Sequence, residues 1–133
     1  MTRDPQKVLV AIVDDERLVR TSLRRLCGVL GFETADYSSG RDFIAALDYG
    51  SVSPDCVLLD AHMPDMTGLE VHQLLTQRHV PFATIIFTAD DAPETRARYL
   101  AAGVAFCLRK PANADMLVAA IEEAVAARPH RSG

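Results

Sequence analysis

Five times along the chain a short apolar run is followed by a stretch whose apolar residues recur at helical spacing. The first run, Val8-Leu-Val-Ala-Ile-Val13, is continuous rather than alternating. A strand can be apolar on both faces only where both faces are covered, as in a parallel sheet flanked by helices. Val19, Leu23, Leu26 and Leu30 then mark a helix that stops at Gly31, a C-cap residue. Residues 32–37 read as a short strand, and Ser39-Gly-Arg-Asp42 as a cap ahead of a short helix over 43–47. Cys56-Val-Leu-Leu59 is a third strand, and Thr67-Gly-Leu-Glu70 a capping box opening a helix with Leu69, Leu74 and Leu75. Thr84-Ile-Ile-Phe87 is a fourth strand. Asp91-Ala-Pro-Glu94 repeats the cap pattern with Pro in the first turn, and Gly103 closes that helix. Phe106-Cys-Leu-Arg109 is a fifth strand, followed by a helix over about 114–127 with Leu117, Ile121 and Val125 on one stripe.

The pattern predicts an α/β fold: (βα)5, a doubly wound five-stranded parallel sheet with right-handed crossovers and helices on both faces. A barrel of eight such units needs roughly twice the length. With 133 residues and 49% hydrophobic content the chain is expected to form one domain, with a core over about 7–127 and a polar tail over 128–133. Apolar runs of six residues, such as Val8–Val13, fall far short of the roughly 20 that span a bilayer. The first seven residues carry no apolar signal region, so a cytoplasmic location is expected. Cys27, Cys56 and Cys107 are odd in number and far apart, which suits packing residues in a reducing compartment. With 14 basic and 18 acidic side chains the net charge is −4, and without a basic run direct nucleic-acid binding is not expected.

Position carries the functional signal. The first strand ends in Asp14-Asp15, the third in Asp60, the fourth in Thr88, and the fifth runs into Lys110-Pro111. Ligands of open parallel sheets bind beyond the carboxyl ends of the strands. In the flavodoxin-like order 2-1-3-4-5, strands one, three, four and five are neighbours about 4.8 Å apart. Asp60 is then central, with the two acids on one side and the hydroxyl and ammonium on the other. Three neighbouring carboxylates repel one another unless a cation joins them. All are hard oxygen ligands without clustered His or Cys, so the expected ion is Mg2+, a usual partner of phosphoryl groups. Asp60 as a carboxylate nucleophile would form an aspartyl phosphate, with Lys110 and Thr88 neutralising and aligning the phosphoryl oxygens. Lys7 and Lys110 are the two lysines among 14 basic residues, and a compact ammonium suits a narrow acidic crevice better than a planar fork.

Taken singly, each residue has a plainer role. Asp14-Asp15 can cap a helix, Asp60 can end a strand in a turn, Thr88 suits a strand, and Lys110 suits a surface. His72, His79 and His130 read as exposed helix or tail residues, and Cys27 and Cys56 as core.

Together the segments Val13-Asp14-Asp15-Glu16, Leu59-Asp60-Ala-His-Met-Pro64 with Gly68, Phe87-Thr88-Ala89 and Arg109-Lys110-Pro111 resemble the receiver domain of two-component response regulators. The likeness extends over nearly all of residues 7–127, and the phrase from Leu59 to Glu70 is most similar to the FixJ/NarL-type branch. The resemblance implies that a sensor histidine kinase phosphorylates Asp60 and that the resulting switch controls an output such as transcription. It implies Asp15 and Asp60 as direct Mg2+ ligands, Asp14 as a nearby group acting through water, and the backbone carbonyl of His62 as a further ligand. Thr88 and Lys110 would contact the phosphoryl oxygens. A cis Lys110–Pro111 bond is implied as well. So is a homodimer face on helix four, strand five and helix five, where Arg96 and Arg98 would pair with acids. Branch members usually continue into a DNA-binding domain, so the sequence suits either an excised or a stand-alone receiver.

One departure stands out. The family's switching Tyr or Phe, three residues before the Lys, is here Cys107, and Phe106 lies one residue earlier, on the opposite face of the strand. Switching is therefore expected to run through Thr88, the loop after it, and Tyr99 or its neighbours. A Mg2+-dependent aspartyl-phosphate phosphatase is the alternative, although it would want an acid where His62 stands. A flavin carrier would want a phosphate-binding loop where Asp14-Asp15 stand.

Overall fold

The computed structural model describes residues 7–128, so the expected tail beyond 128, His130 and the first six residues lie outside the description. The elements are β1 (Leu9–Val13), α1 (Arg17–Val29), β2 (Glu33–Tyr37), α2 (Gly40–Asp48), β3 (Cys56–Asp60), α3 (Gly68–Gln77), β4 (Ala83–Thr88), α4 (Pro93–Ala101), β5 (Phe106–Arg109) and α5 (Ala114–Ala126). The strands are parallel, in the order β2-β1-β3-β4-β5. The flavodoxin-like arrangement read from the apolar runs is the one observed.

Both faces of the sheet are buried, which explains why the strands do not alternate with polar residues. Ala11, Val13, Val57, Leu59 and Ile86 pack against Phe43 and Ile44 of α2, Val71 and Leu75 of α3, and Tyr99 of α4. Val10, Ile12, Cys56, Leu58, Ile85, Phe87 and Leu108 face Leu23 and Cys27 of α1 and Leu117, Ala120, Ile121 and Ala124 of α5. Fully burying one large aliphatic side chain contributes about 1.5–3 kcal/mol, so these two layers dominate stability. Cys27 and Cys56 are core residues, as expected.

The caps hold in four places and shift in one. Ser39 Oγ accepts from the Asp42 amide, and Thr67 and Glu70 form the complete capping box. Gly31 and Gly103 follow α1 and α4 with left-handed backbone, φ 91° and 95°. Asp91, however, does not cap α4. The N-cap is Ala92, which has no side-chain oxygen to offer, and Asp90 stands in from two residues earlier. Its Oδ1 accepts from the Ala92 amide at 2.9 Å, and its Oδ2 from the Thr95 hydroxyl at 3.0 Å. Asp91 instead pairs with Arg109 at 3.2 Å.

Two histidine expectations also change. His72 is buried, not exposed: its Nε2 donates to the Ala102 carbonyl at 2.8 Å, and its Nδ1 lies 2.9 Å from the Thr84 hydroxyl. It ties α3 to β4 and to the carboxyl end of α4. His79 is exposed but lies beyond α3, with φ 52°. Of Leu69, Leu74 and Leu75, only Leu75 is fully buried, with Val71 and His72 completing the inward stripe of α3.

Candidate functional site

The sheet ladder runs past the last residue of several strands and so fixes where the polar side chains emerge. The Asp14 amide donates to the Tyr37 carbonyl at 3.1 Å, Ala61 to Phe87 at 3.0 Å, and Lys110 to Thr88 at 2.8 Å. Asp60 is the final residue of β3, in register with Phe87, and Thr88 is the final residue of β4, in register with Arg109. Gly68, the first residue of α3, passes so close that a Cβ there would lie 2.6 Å from the Asp60 carbonyl oxygen. A side-chain-free residue at this position lets the helix start right behind the strand that presents Asp60.

At this edge Asp14, Asp15 and Asp60 converge, with one oxygen of each carboxylate within 4.8 Å of the others. Asp14 and Asp60 are buried, and Asp15 is exposed. Lys110 reaches between the two buried acids, its Nζ 3.0 Å from Asp60 Oδ1 and 3.4 Å from Asp14 Oδ2. It also lies 5.1 Å from the centroid of the Phe87 ring. Asp60 Oδ1 accepts a second bond from the His62 amide at 3.3 Å, while the His62 side chain is exposed. Asp14 Oδ1 accepts from the Glu16 amide at 2.8 Å. The peptide bond between Lys110 and Pro111 is cis.

Burial pushes the Asp14 and Asp60 carboxyls above their ordinary range, against the pull of the Glu16 amide on Asp14 and of Lys110 on both. For Lys110, burial alone would lower the ammonium, but its hydrogen bond to Asp60 and the charges of both acids outweigh burial and raise it. Three carboxylates face one ammonium, which leaves about two negative charges uncompensated in a partly buried site. Three hard oxygen donors with that charge deficit, Asp14, Asp15 and Asp60, could hold a divalent cation.

Thr88 is buried at the same edge, but its hydroxyl does not serve the acids: Oγ1 accepts from the Asp90 amide at 3.1 Å. Thr88, Asp90 and Thr95 thus form one hydrogen-bonded chain from the end of β4 into the first turn of α4. Cys107 is partly buried in the same apolar layer as Tyr99, whereas Phe106 packs into the opposite layer with α5. The alternation that separates these two residues is as the sequence implied.

Sequence reasoning missed an arginine at the site. Arg20, on α1, reaches back to donate from Nη1 to the Asp14 carbonyl at 2.8 Å. No motif or spacing marks Arg20, because its partners lie on β1 and β2 and are brought to it only by the tertiary fold.

The comparisons with known proteins follow this geometry. The profile of the response regulator receiver domain matches residues 10–122. The positive alginate biosynthesis regulatory protein of Pseudomonas aeruginosa is 39% identical over 125 residues, 92% of this chain and 48% of that protein. The crystal structure of a response regulator receiver protein from Burkholderia phymatum superposes with a TM-score of 0.78 at 36% identity, covering 90% of this chain and 96% of that one. FixJ-N superposes at 0.80 with 30% identity, covering 91% and 95%. The chain spans about half of its curated relative's length, or less of others such as the NtrC proteins. Among the described residues no helix is long and apolar enough to cross a membrane. On the match across residues 10–122, with the fold and the strand-end residues in agreement, the chain belongs to the response regulator receiver domains of two-component systems.

Proposed function

We propose that this domain accepts a phosphoryl group on Asp60 from the phosphohistidine of a sensor histidine kinase and uses it to control an output, transcription being the one its FixJ/NarL-like phrase favours. The observation that carries this reading is Lys110 Nζ lying 3.0 Å from Asp60 Oδ1 inside a trio of aspartates. In the transfer the P–N bond to the histidine breaks, an Asp60 O–P bond forms, and the departing imidazole nitrogen takes up a proton. Oδ1 of Asp60 is occupied by Lys110 and the His62 amide, which leaves Oδ2 to meet phosphorus. Lys110 holds the carboxylate in its charged form and can follow the charge onto the phosphoryl oxygens. Asp14, Asp15, Asp60 and the His62 carbonyl would hold Mg2+, which supplies neutralisation of the phosphoryl charge.

The Thr88 oxygen accepts from the Asp90 amide and keeps its own proton to donate, so a phosphoryl oxygen on Asp60 would turn the hydroxyl toward itself and strain its bond with that amide. Asp90 also secures Ala92 and Thr95, so that turn loosens the start of α4. This coupling does not need an aromatic ring at Cys107. Tyr99, buried on α4 against the same layer, would carry the change towards α4, β5 and α5. There Arg96 and Arg98 on α4 and the acids of α5 give a phosphorylated homodimer its expected face.

Incubation with Mg2+ and acetyl phosphate tests the proposal. A stoichiometric, acid-stable, base-labile adduct absent from Asp60→Asn supports it. Sustained turnover of a small phosphoester without a lasting adduct would favour the phosphatase alternative instead.

A further inference from the structure

We propose that Arg20 is a positioning residue for the metal-binding acids, fixing the peptide that joins Asp14 to Asp15. This inference rests on the Mg2+ reading above. The segment between β1 and α1 has little else to hold it. Its N-cap, Glu16, makes no side-chain cap bond, and the first turn of α1 carries no acid. The Glu16 amide is satisfied instead by Asp14 Oδ1. Asp14 therefore holds the loop with the same carboxylate that a cation would draw on.

Arg20 holds the loop from the other side. Its Nη1 donates to the Asp14 carbonyl at 2.8 Å, and its Nε lies 3.3 Å from Asp36 Oδ2 on β2. The arginine side chain is only 16% exposed, and Asp36 is flanked in addition by Arg24 at 3.7 Å. The Asp14 amide is bonded to Tyr37, the residue after Asp36, so the clamp and the sheet ladder share one strand. With its amide on β2 and its carbonyl on Arg20, the backbone of Asp14 cannot rotate freely, and Asp15 leaves it in a set direction. A planar guanidinium can reach a carbonyl and a carboxylate at once, which a lysine ammonium cannot do with the same geometry. Groups that orient metal ligands in this way typically change metal affinity by about 10–100-fold when removed.

The test is calorimetric titration of the intact protein with MgCl2, well below the melting temperature, for wild type, Arg20→Met and Asp36→Asn. Arg20→Met is expected to weaken Mg2+ binding by about tenfold or more, and Asp36→Asn by a smaller factor. At saturating Mg2+ the acetyl phosphate reaction of both variants should approach the wild-type maximum, because Asp60 and Lys110 are untouched. The Glu16 amide should exchange faster in Arg20→Met without metal. A lowered melting temperature with unchanged Mg2+ affinity in the folded variants would make Arg20 an ordinary structural clamp and overturn the proposal. Should Arg20→Met fail to fold, unchanged affinity in Asp36→Asn overturns it on its own. Absence of Mg2+ binding in the wild type would instead sink the functional reading on which this one depends.

Discussion

Replacing Gly68 by Ala adds one methyl group at the closest approach between α3 and the strand that presents Asp60. The new Cβ would lie 2.6 Å from the Asp60 carbonyl oxygen, 3.1 Å from Ile86 Cδ1 and 3.2 Å from Ala61 Cα. Two of these three neighbours are backbone atoms, and the carbonyl cannot swing aside as a flexible side chain would. Overpacking of this kind costs about 1–3 kcal/mol, against a helix-propensity gain of about 0.5–1 kcal/mol. The net loss of about 1–2 kcal/mol corresponds to a fall in Tm of roughly 4–8 °C for a chain of this size. Relief of the contact also moves the end of β3 relative to Lys110, so the acetyl phosphate reaction should slow by about tenfold or more. Gly28 is the matched control: it lies in α1, exposed, with nothing within 4 Å of an added Cβ. Gly28→Ala should raise stability by about 0.5–1 kcal/mol and leave the reaction rate alone. Thermal denaturation and adduct formation measured side by side settle the matter. A Gly68→Ala protein that melts and reacts like wild type would refute the close-approach argument.

The remaining expectations concern charge and coupling. The folded-state carboxyls of Asp14 and Asp60 are raised, so their protons favour the native fold, and that contribution is lost as pH rises from about 3.8 through the raised values. Mg2+ competes with those protons, so its stabilisation of the fold should be small in acid and grow through that window, as melting curves with and without MgCl2 will show. Lys110 behaves with the same sign at the alkaline end: its contribution is complete below 10.5 and is lost as pH rises through its still higher folded value. For the relay, Asp90→Ala removes the acceptor for Ala92 and Thr95, so the first turn of α4 should exchange its amides faster and beryllofluoride should bind more tightly than in wild type. Unchanged exchange there would show that the Asp90 carboxylate does not secure the first turn of α4.

The fold was legible because its signal is redundant. The central strands β1, β3 and β4 are apolar on both faces and the helices between strands are amphipathic, so the edge strand β2, with Glu33, Thr34 and Asp36, is placed by its neighbours. The acidic edge was legible for a related reason, since topology alone brings strand-end residues together. What stayed hidden depends on side-chain reach rather than pattern. His72 lies on α3, where a polar residue reads as solvated. Its burial follows from two partners, Thr84 and Ala102, that only the tertiary fold delivers. The cap of α4 was misplaced because Asp91 has the expected spacing before Pro93, whereas Asp90 alone curls back to the Ala92 amide. Arg20 likewise finds its partners, the Asp14 carbonyl and Asp36, only through the tertiary fold.

Two bonds define the resting arrangement, and the proposed reaction would perturb both. Lys110 is shared between Asp60 and Asp14, and the Thr88 hydroxyl accepts from Asp90. A phosphoryl group on Asp60 presents new oxygens to each of these groups at once. One exchange pulls on the segment joining β5 to α5, and the other pulls on the start of α4. The far end of α4 is tied through Ala102 to His72, itself bonded to Thr84 on the same strand as Thr88. Strand β4 therefore bears on α4 at both ends, through Thr88 and Asp90 near the acids and through the buried His72 at the opposite pole. A helix released at its start and held at its end can only tilt about the held end. On the proposed reading the displacement would be carried by α4 as a whole, and a ring at position 107 would not be needed for it.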